Sequence, residues 1–291
     1  MRIFERIGED LYLLKVPFGA YWTGVVWIKG RENILIDSGP SADMVDEVIL
    51  PALAEEGCRP GDIRYLVCTH THGDHIGGHA RLLERCPSCI AVASSAQAAK
   101  LADPLTYAKI IRTRFPSDSP PVQTGLRGVQ PGRMLEDGEL LAGRLRLIPT
   151  PGHDTDCVSW LDTLSGTLFT GDSVQGEGAA GAGLAFYQSL RDYRASLTAL
   201  LDTAAHRLVA GHDYAPHGYL VEGTEAVNRY LSSCLSVTSR YDGQIRQLQS
   251  EGLTEPADLA RRLIAMENRA APPYLFLEMY TVTAHVQEAV L

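Results

Sequence analysis

Apolar and polar positions along the chain repeat at two periods. Leu11 to Val16, Gly24 to Lys29 and Asn33 to Ile36 are short runs rich in Val, Ile and Leu, and read as strands. Pro17, Gly19, Gly30 and Gly39 bound them. From Asp43 to Glu56 the period changes. Val45, Val48 and Ile49 carry helical spacing, and the pattern stops at Gly57. Ile63 to Thr69 fits a buried strand, Asp74 to Arg85 a helix and Ile90 to Ala93 a strand. The stretch from Leu101 to Pro131 holds Pro104, Pro116, Pro120 and Pro121 and reads as a helix-plus-loop insertion able to cover a site. Strand patterns return at Leu140 to Ile148, Val158 to Asp162 and Thr167 to Thr170. Gly176 to Gly183 is a flexible loop by composition. Tyr193 to Thr203 reads as a helix, Arg207 to Ala210 as a strand, and the chain from Gly223 onward as mainly helical. Two successive runs of strands and helices predict an α/β (α+β) fold, a four-layer αββα sandwich with two packed sheets and helices outside.

Composition narrows the function. A chain of 291 residues can bury one large core, alone or with an appendage. The formal net charge is −9, which argues against a nucleic-acid or anionic-membrane surface. Across 218–291 there are nine acidic residues, six arginines and no lysine, where a nucleic-acid-binding tail would be basic. No segment reaches the roughly 18 apolar residues of a membrane span. Glu5, Glu9 and Asp10 interrupt the first residues, unlike a secretory leader, so a cytoplasmic location is expected. Cys58, Cys68, Cys86, Cys89, Cys157 and Cys234 are scattered and do not resemble a disulfide framework. Cys86 and Cys89 form a lone C-x-x-C and read as reduced thiols near a helix end.

The chemistry concentrates in His70-Thr71-His72-Gly73-Asp74-His75. His70 and His72 are two residues apart after an apolar strand, so in extended chain both imidazoles face one side. Gly73 permits a tight turn, and Asp74 at a helix start is favoured by the helix dipole. Mixed imidazole and carboxylate donors suit zinc and related divalent ions. One short loop cannot close two coordination spheres. His153, Asp172 and His212 each follow an apolar run and a glycine, as a strand end delivering a side chain to a cleft would.

With these segments in this order, the stretch from Asp37 to His212 resembles the metallo-β-lactamase superfamily, whose signature is H-x-H-x-D-H with a later His, Asp and His. Leu35-Ile36-Asp37-Ser38-Gly39 matches its first motif. Pro149 to His153 and Phe169 to Asp172 are similar to the later motifs of hydroxyacylglutathione hydrolases, the glyoxalase II type. The resemblance implies a catalytic domain over 1–217 with a helical extension over 218–291 packed on it. It implies His70, His72 and His153 on one metal, Asp74, His75 and His212 on a second, Asp172 bridging them, and Asp37 behind the ligands. The cofactors are then two divalent ions, zinc first, with manganese or iron as alternatives. Two such ions share a water and lower its pKa from about 15.7 toward about 7. Asp74 can help relay the proton of that water. The expected function is hydrolysis of an ester, thioester, lactone or phosphoester of a small molecule.

Departures from subfamilies limit the substrate. Gly-Glu-Gly-Ala-Ala at 176–180 replaces the basic Gly-Cys-Gly-Arg-type segment of glyoxalase II proteins. Ser173, Val174 and Gln175 stand where acyl-homoserine lactonases place a tyrosine. The rival reading is a persulfide dioxygenase with a single iron, and a third is a non-catalytic metal-binding protein. Tyr187, Tyr193 and Tyr214 are candidates to line a substrate pocket, with packing as the plainer role of each. His79 reads as a residue behind the ligands or at the surface, and His206, His217 and His285 as structural. The apolar helices of the tail suit a homodimer interface as well as a pocket lid.

Overall fold

A computed structural model describes residues 3–288. In chain order its regular elements are β1 (Glu5–Arg6), β2 (Leu11–Phe18), β3 (Tyr21–Ile28), β4 (Asn33–Ile36), α1 (Ala42–Met44), α2 (Leu50–Glu55), β5 (Ile63–Val67), α3 (Gly73–Ile76), α4 (His79–Arg85), β6 (Ile90–Ser94), α5 (Ser95–Ala102) and α6 (Pro104–Thr113). They continue with β7 (Arg133–Leu135), β8 (Leu140–Leu141), β9 (Leu145–Pro149), β10 (Val158–Asp162), β11 (Thr167–Gly171), α7 (Leu190–Leu201), β12 (Arg207–Ala210), β13 (Leu220–Glu222), α8 (Thr224–Ser250), α9 (Pro256–Met266) and α10 (Phe276–Glu288). The strands form a seven-stranded sheet in the order β1 to β7 and a six-stranded sheet built from β8 to β13. The expected mixed fold with two sheets and a helical C-terminal part is what the chain adopts.

Two compact units divide the chain: 1–111 with 122–148 and 158–165, and 112–121 with 149–157 and 166–291. In the first unit, β1 to β4 pair antiparallel, whereas β4, β5, β6 and β7 run parallel. Leu14 and Val16 of β2, Val25 and Trp27 of β3 and Leu35 of β4 alternate onto one face. There they pack with Val45, Val48, Ile49 and Leu53, the apolar stripe that the helical spacing predicts. The run from α1 to α2 passes through a π turn at Val45–Ile49, where the Leu50 N–H reaches the Val45 carbonyl. Pro51, next in line, has no N–H to offer, so a break in the ordinary ladder falls at this point.

Two elements differ from their sequence pattern. The single helix expected over Asp74–Arg85 is two short helices, broken at Gly77 and Gly78. A Cβ at Gly77 would stand 2.0 Å from the Pro40 carbonyl oxygen, and one at Gly78 2.3 Å from that of Ser38. Backbone-to-backbone approach, invisible to periodicity, sets the break. The single strand expected over Leu140–Ile148 is a hairpin of β8 and β9, with Ala142 and Gly143 both at positive φ and the Arg144 N–H bonded to the Leu141 carbonyl at 3.0 Å. Two positive φ values in a row are the geometry of a type I′ turn.

In the second unit β11 and β12 run parallel, and β13 lies antiparallel to β12. The strand β13 is not legible in the sequence: it is three residues long at the head of a helical stretch. Helix α8 buries Val227, Tyr230, Leu231, Cys234, Val237, Thr238 and Tyr241 at three- and four-residue spacing. Arg194 of α7 reaches Thr238 at 2.9 Å and pairs with Asp242, both on α8. The glycine loop 176–183, expected to be mobile, is tied at several points. Arg269 donates to the carbonyls of Ala179 and Gly183, and Ala180 N–H bonds to the Asp213 carbonyl at 2.8 Å.

Candidate metal centre

The first unit supplies one group of predicted ligands. β4 and β5 are parallel neighbours, so their C-terminal ends open at the same edge. Asp37 follows β4, and the His70–His75 loop follows β5. The root of that loop is fixed from three sides. Trp160 Nε1 donates to the Cys68 carbonyl at 2.9 Å, and Val158 N–H donates to the Thr69 carbonyl at 2.8 Å. Gln97 Nε2 reaches both carbonyls, at 3.2 and 3.3 Å. Gln97 also closes the capping box of α5 with Ser94, so one side chain starts a helix and holds the loop.

Asp37 organises the imidazoles. Its carboxylate accepts from Thr69 N–H at 2.8 Å, Thr69 Oγ1 at 2.9 Å and His75 Nδ1 at 2.8 Å. A carboxylate takes the Nδ1 proton of His75, which leaves the Nε2 lone pair outward. That Nε2 faces Asp74 Oδ2 at 3.4 Å. Thr69 spends its hydroxyl proton on Asp37, so its oxygen accepts from His70 Nδ1 at 3.2 Å. His70 is thereby also a tautomer with basic Nε2. The rings of His70 and His75 have centroids 4.2 Å apart, and those of His70 and His72 4.6 Å. Thr23 Oγ1 donates to Asp74 Oδ2 at 3.2 Å and orients the carboxylate. His79 lies buried behind the loop, its Nδ1 2.7 Å from Ser38 Oγ. Burial, aided by nearby His75, pushes its pKa down to about 3, so it stays neutral.

The second unit supplies the other group. Asp172 follows β11 and His212 follows β12 after Gly211, whose N–H bonds to the Gly171 carbonyl at 2.8 Å. Parallel register thus brings His212 Nε2 within 3.4 Å of Asp172 Oδ2. His153 Nε2 lies 3.6 Å from the same oxygen. His153 Nδ1 is 3.0 Å from the Phe186 carbonyl, which can only accept, so Nδ1 carries the proton. Gly152 is required just before it. Its φ is +141°, and a Cβ there would sit 2.4 Å from Cα of Tyr193.

Gln175 is not singled out as a site residue by the sequence, and no local pattern marks it. Buried, it accepts from Phe186 N–H at 2.7 Å through Oε1. Its Nε2 donates to the Asp172 carbonyl at 3.1 Å. One amide therefore ties the backbone of the predicted ligand Asp172 to the segment that carries Phe186. Tyr187, Tyr193 and Tyr214 are all buried. Tyr187 and Tyr193 stack at 4.5 Å, and Tyr187 bonds His285 Nε2 at 2.7 Å, so packing describes these two. Tyr214 stands edge-on to His212 at 5.9 Å. Cys157 lies beside Asp154 and Asp156, and burial with these two charges holds its thiol well above the usual range. It offers no thiolate nucleophile.

The donor set fits a divalent metal. In each unit an imidazole with its Nδ1 proton already committed points a basic nitrogen at a carboxylate oxygen less than 4 Å away. Two acceptors facing each other repel unless a cation stands with them. Histidines and aspartates of this set are candidates to hold such an ion.

Comparison with known proteins agrees with this chemistry. The family profile described as the metallo-beta-lactamase superfamily matches residues 16–212. The chain is 30% identical over 188 residues to the Beta-lactamase-like protein 2 homolog of Caenorhabditis elegans, covering 63% of this chain and 52% of that protein. It spans about half the length of the curated relatives it matches. Among solved structures, a metallo-beta-lactamase family protein of Thermus thermophilus superposes with a TM-score of 0.73 at 20% identity, covering 98% of this chain and 95% of that one. The stereoselective inverting sec-alkylsulfatase Pisa1 of Pseudomonas sp. gives 0.64 at 16% identity, covering 97% of this chain and 50% of that one. The chain belongs to the metallo-β-lactamase superfamily and has its fold. Among the described residues, no helix is long and apolar enough to cross a membrane.

Proposed function

We propose that the protein is a binuclear metal-dependent hydrolase of a small molecule with an ester-type bond: an ester, thioester, lactone or phosphoester. The observation that carries this reading is the set of imidazoles fixed in metal-ready tautomers, each facing a carboxylate. By the order of the family's motifs, His70, His72 and His153 would hold one ion and Asp74, His75 and His212 the other, with Asp172 available to both. When bound, such ions supply an acidified water and an electrophile for the substrate oxygen.

The chain's own residues do the rest. Asp37 and the Phe186 carbonyl keep His75 and His153 in the tautomers that coordinate. Asp74, held by Thr23, is the carboxylate placed to accept the proton of the attacking water. Ester cleavage adds water across the acyl–oxygen bond, so the acid product takes the hydroxyl and the leaving group takes the proton. No serine or cysteine nucleophile is needed.

Elemental mass spectrometry of protein expressed with zinc, manganese and iron together tests the metal count. About two ions of zinc or manganese per chain are expected; one iron per chain would overturn the reading in favour of oxygen chemistry. Asp172→Ala is expected to abolish turnover of esters while circular dichroism stays native. Unchanged turnover in that variant would sink the assignment.

A further inference from the structure

In the second unit the predicted ligand His153 is held by a backbone carbonyl, and that carbonyl belongs to a rigid group. The peptide joining Phe186 to Tyr187 is planar, so its C=O and its N–H turn together. The C=O accepts from His153 Nδ1 at 3.0 Å. The N–H donates to Thr281 Oγ1 at 3.3 Å, and Thr281 Oγ1 in turn donates to the Ala185 carbonyl at 2.9 Å. The tilt of this one plane decides whether a lone pair of the carbonyl meets the imidazole proton.

The Tyr187 side chain starts next to the same plane and ends in a chain of hydrogen bonds. Its hydroxyl stands 2.7 Å from His285 Nε2, and His285 Nδ1 stands 2.6 Å from Asp242 Oδ1. The order of the protons follows from the acceptors. Burial opposes charge on Asp242, yet its bonds to Arg194 and His285 hold its pKa below the ordinary value, so it is a carboxylate and only accepts. His285 Nδ1 therefore carries the proton, and Nε2 is left to accept. Burial pushes the His285 pKa down and the Tyr187 pKa up, so the ring is neutral and the phenol keeps the proton it donates. Arg194 pairs with the other oxygen of Asp242 and reaches Thr238 at 2.9 Å, which fixes the outer end of the chain on α8. Tyr187 and His285 are buried, and the proposed reaction uses neither.

We propose that the Asp242–His285–Tyr187 chain is a positioning device for His153: it locks the tilt of the Phe186–Tyr187 peptide, and through that carbonyl it keeps His153 in the tautomer with a basic Nε2. The three residues contribute no group to the reaction. Helices α8 and α10 thus act on a predicted ligand through one peptide plane. The effect on a bound metal rests on the hydrolase reading above; the hold on the His153 tautomer does not.

The test reads the imidazole directly. In zinc-loaded, full-length protein carrying isotope-labelled histidine, the His153 Nδ1 proton gives an NMR signal whose exchange with water reports its bond to Phe186. Wild type is expected to exchange slowly. Tyr187→Phe keeps the stack on Tyr193 and removes only the hydroxyl. In that variant exchange is expected to be about fivefold faster, and zinc affinity, measured by chelator competition, about fivefold weaker. The control is Leu248→Ala, a packing loss elsewhere on α8, which is expected to lower the melting temperature and leave both readings unchanged. Equal exchange in wild type and Tyr187→Phe overturns the proposal, as does equal acceleration in Leu248→Ala. Should Tyr187→Phe fail to fold, Asp242→Asn at the half-buried outer end is read the same way: faster exchange supports the proposal and unchanged exchange overturns it. Should wild type bind no zinc, the hydrolase reading fails by itself, and metal-free protein decides the chain. Two His153 tautomers in Tyr187→Phe against one in wild type support it; one in both overturns it.

Discussion

The two groups of predicted ligands are built on different anchors. In the first unit, four candidate ligands come from six consecutive residues, and a buried carboxylate, Asp37, accepts from both the loop backbone at Thr69 and His75 Nδ1, beside the neutral bonds of Trp160, Val158 and Gln97. In the second unit, three predicted ligands come from three separate strand ends, and neutral groups hold two of them: the Phe186 carbonyl holds His153 and the Gln175 amide holds the Asp172 backbone. A carboxylate behind an imidazole raises its basicity more than a carbonyl does. The difference teaches that a compact loop of predicted ligands can add one charged residue that serves backbone and imidazole together, whereas the support cited for the dispersed predicted ligands is neutral.

The comparison can be broken by removing each anchor. Asp37→Ala should have the largest effect. It strips acceptors from Thr69 N–H, Thr69 Oγ1 and His75 Nδ1, and is expected to weaken zinc binding by about 10- to 100-fold and stability by about 3 kcal/mol. Competition with a chelator and denaturant titration measure the two. Gln175→Ala should do less, since Phe186 N–H and the Asp172 carbonyl each lose one neutral bond. A loss of about 1–2 kcal/mol and about tenfold in zinc affinity is expected. A larger effect at Gln175 than at Asp37 would reverse the argument.

The smallest effect sharpens the comparison through pH. Glu278 on α10 accepts weakly from Leu184 N–H at 3.4 Å, two residues before the Phe186 that carries the His153 anchor. Burial pushes its pKa up from 4.5 to about 7. The folded state therefore keeps this proton up to about pH 7, while the unfolded chain loses it near 4.5. Stability contributed by Glu278 is full below about 4.5, declines as pH rises toward 7 and is level above. Glu278→Gln should flatten this slope, shifting the difference in melting temperature between pH 5 and pH 8 by a few degrees. An unchanged slope would show that Glu278 does not titrate in this window.

What the sequence reveals follows the same division. The ligand loop, Asp37 and the order of later ligands are legible because motif residues are close in the chain or follow glycine-marked strand ends. Strand and helix types are legible where periodicity is long, as in α8. Other features depend on approach between distant backbones. The break at Gly77 and Gly78, the role of Gly152 under Tyr193 and the bridge of Gln175 between the Asp172 carbonyl and Phe186 N–H are of this kind. Gln97 is half-legible: Ser94-x-x-Gln97 is a capping box, but its second task, on the Cys68 and Thr69 carbonyls, has no sequence mark.

The support of His153 also limits how far the chain can be trimmed. The family match ends at residue 212, yet the segment bearing Phe186 is stitched to the far end of the sequence. Leu184 N–H bonds to Glu278, Tyr187 N–H to Thr281 Oγ1 at 3.3 Å, and Thr281 Oγ1 donates to the Ala185 carbonyl at 2.9 Å. A gene shortened to the recognisable family region would keep every predicted ligand and lose the clamp on one of them. For anyone grafting or minimising this chain, the last helix belongs to the candidate metal site as much as the histidines do.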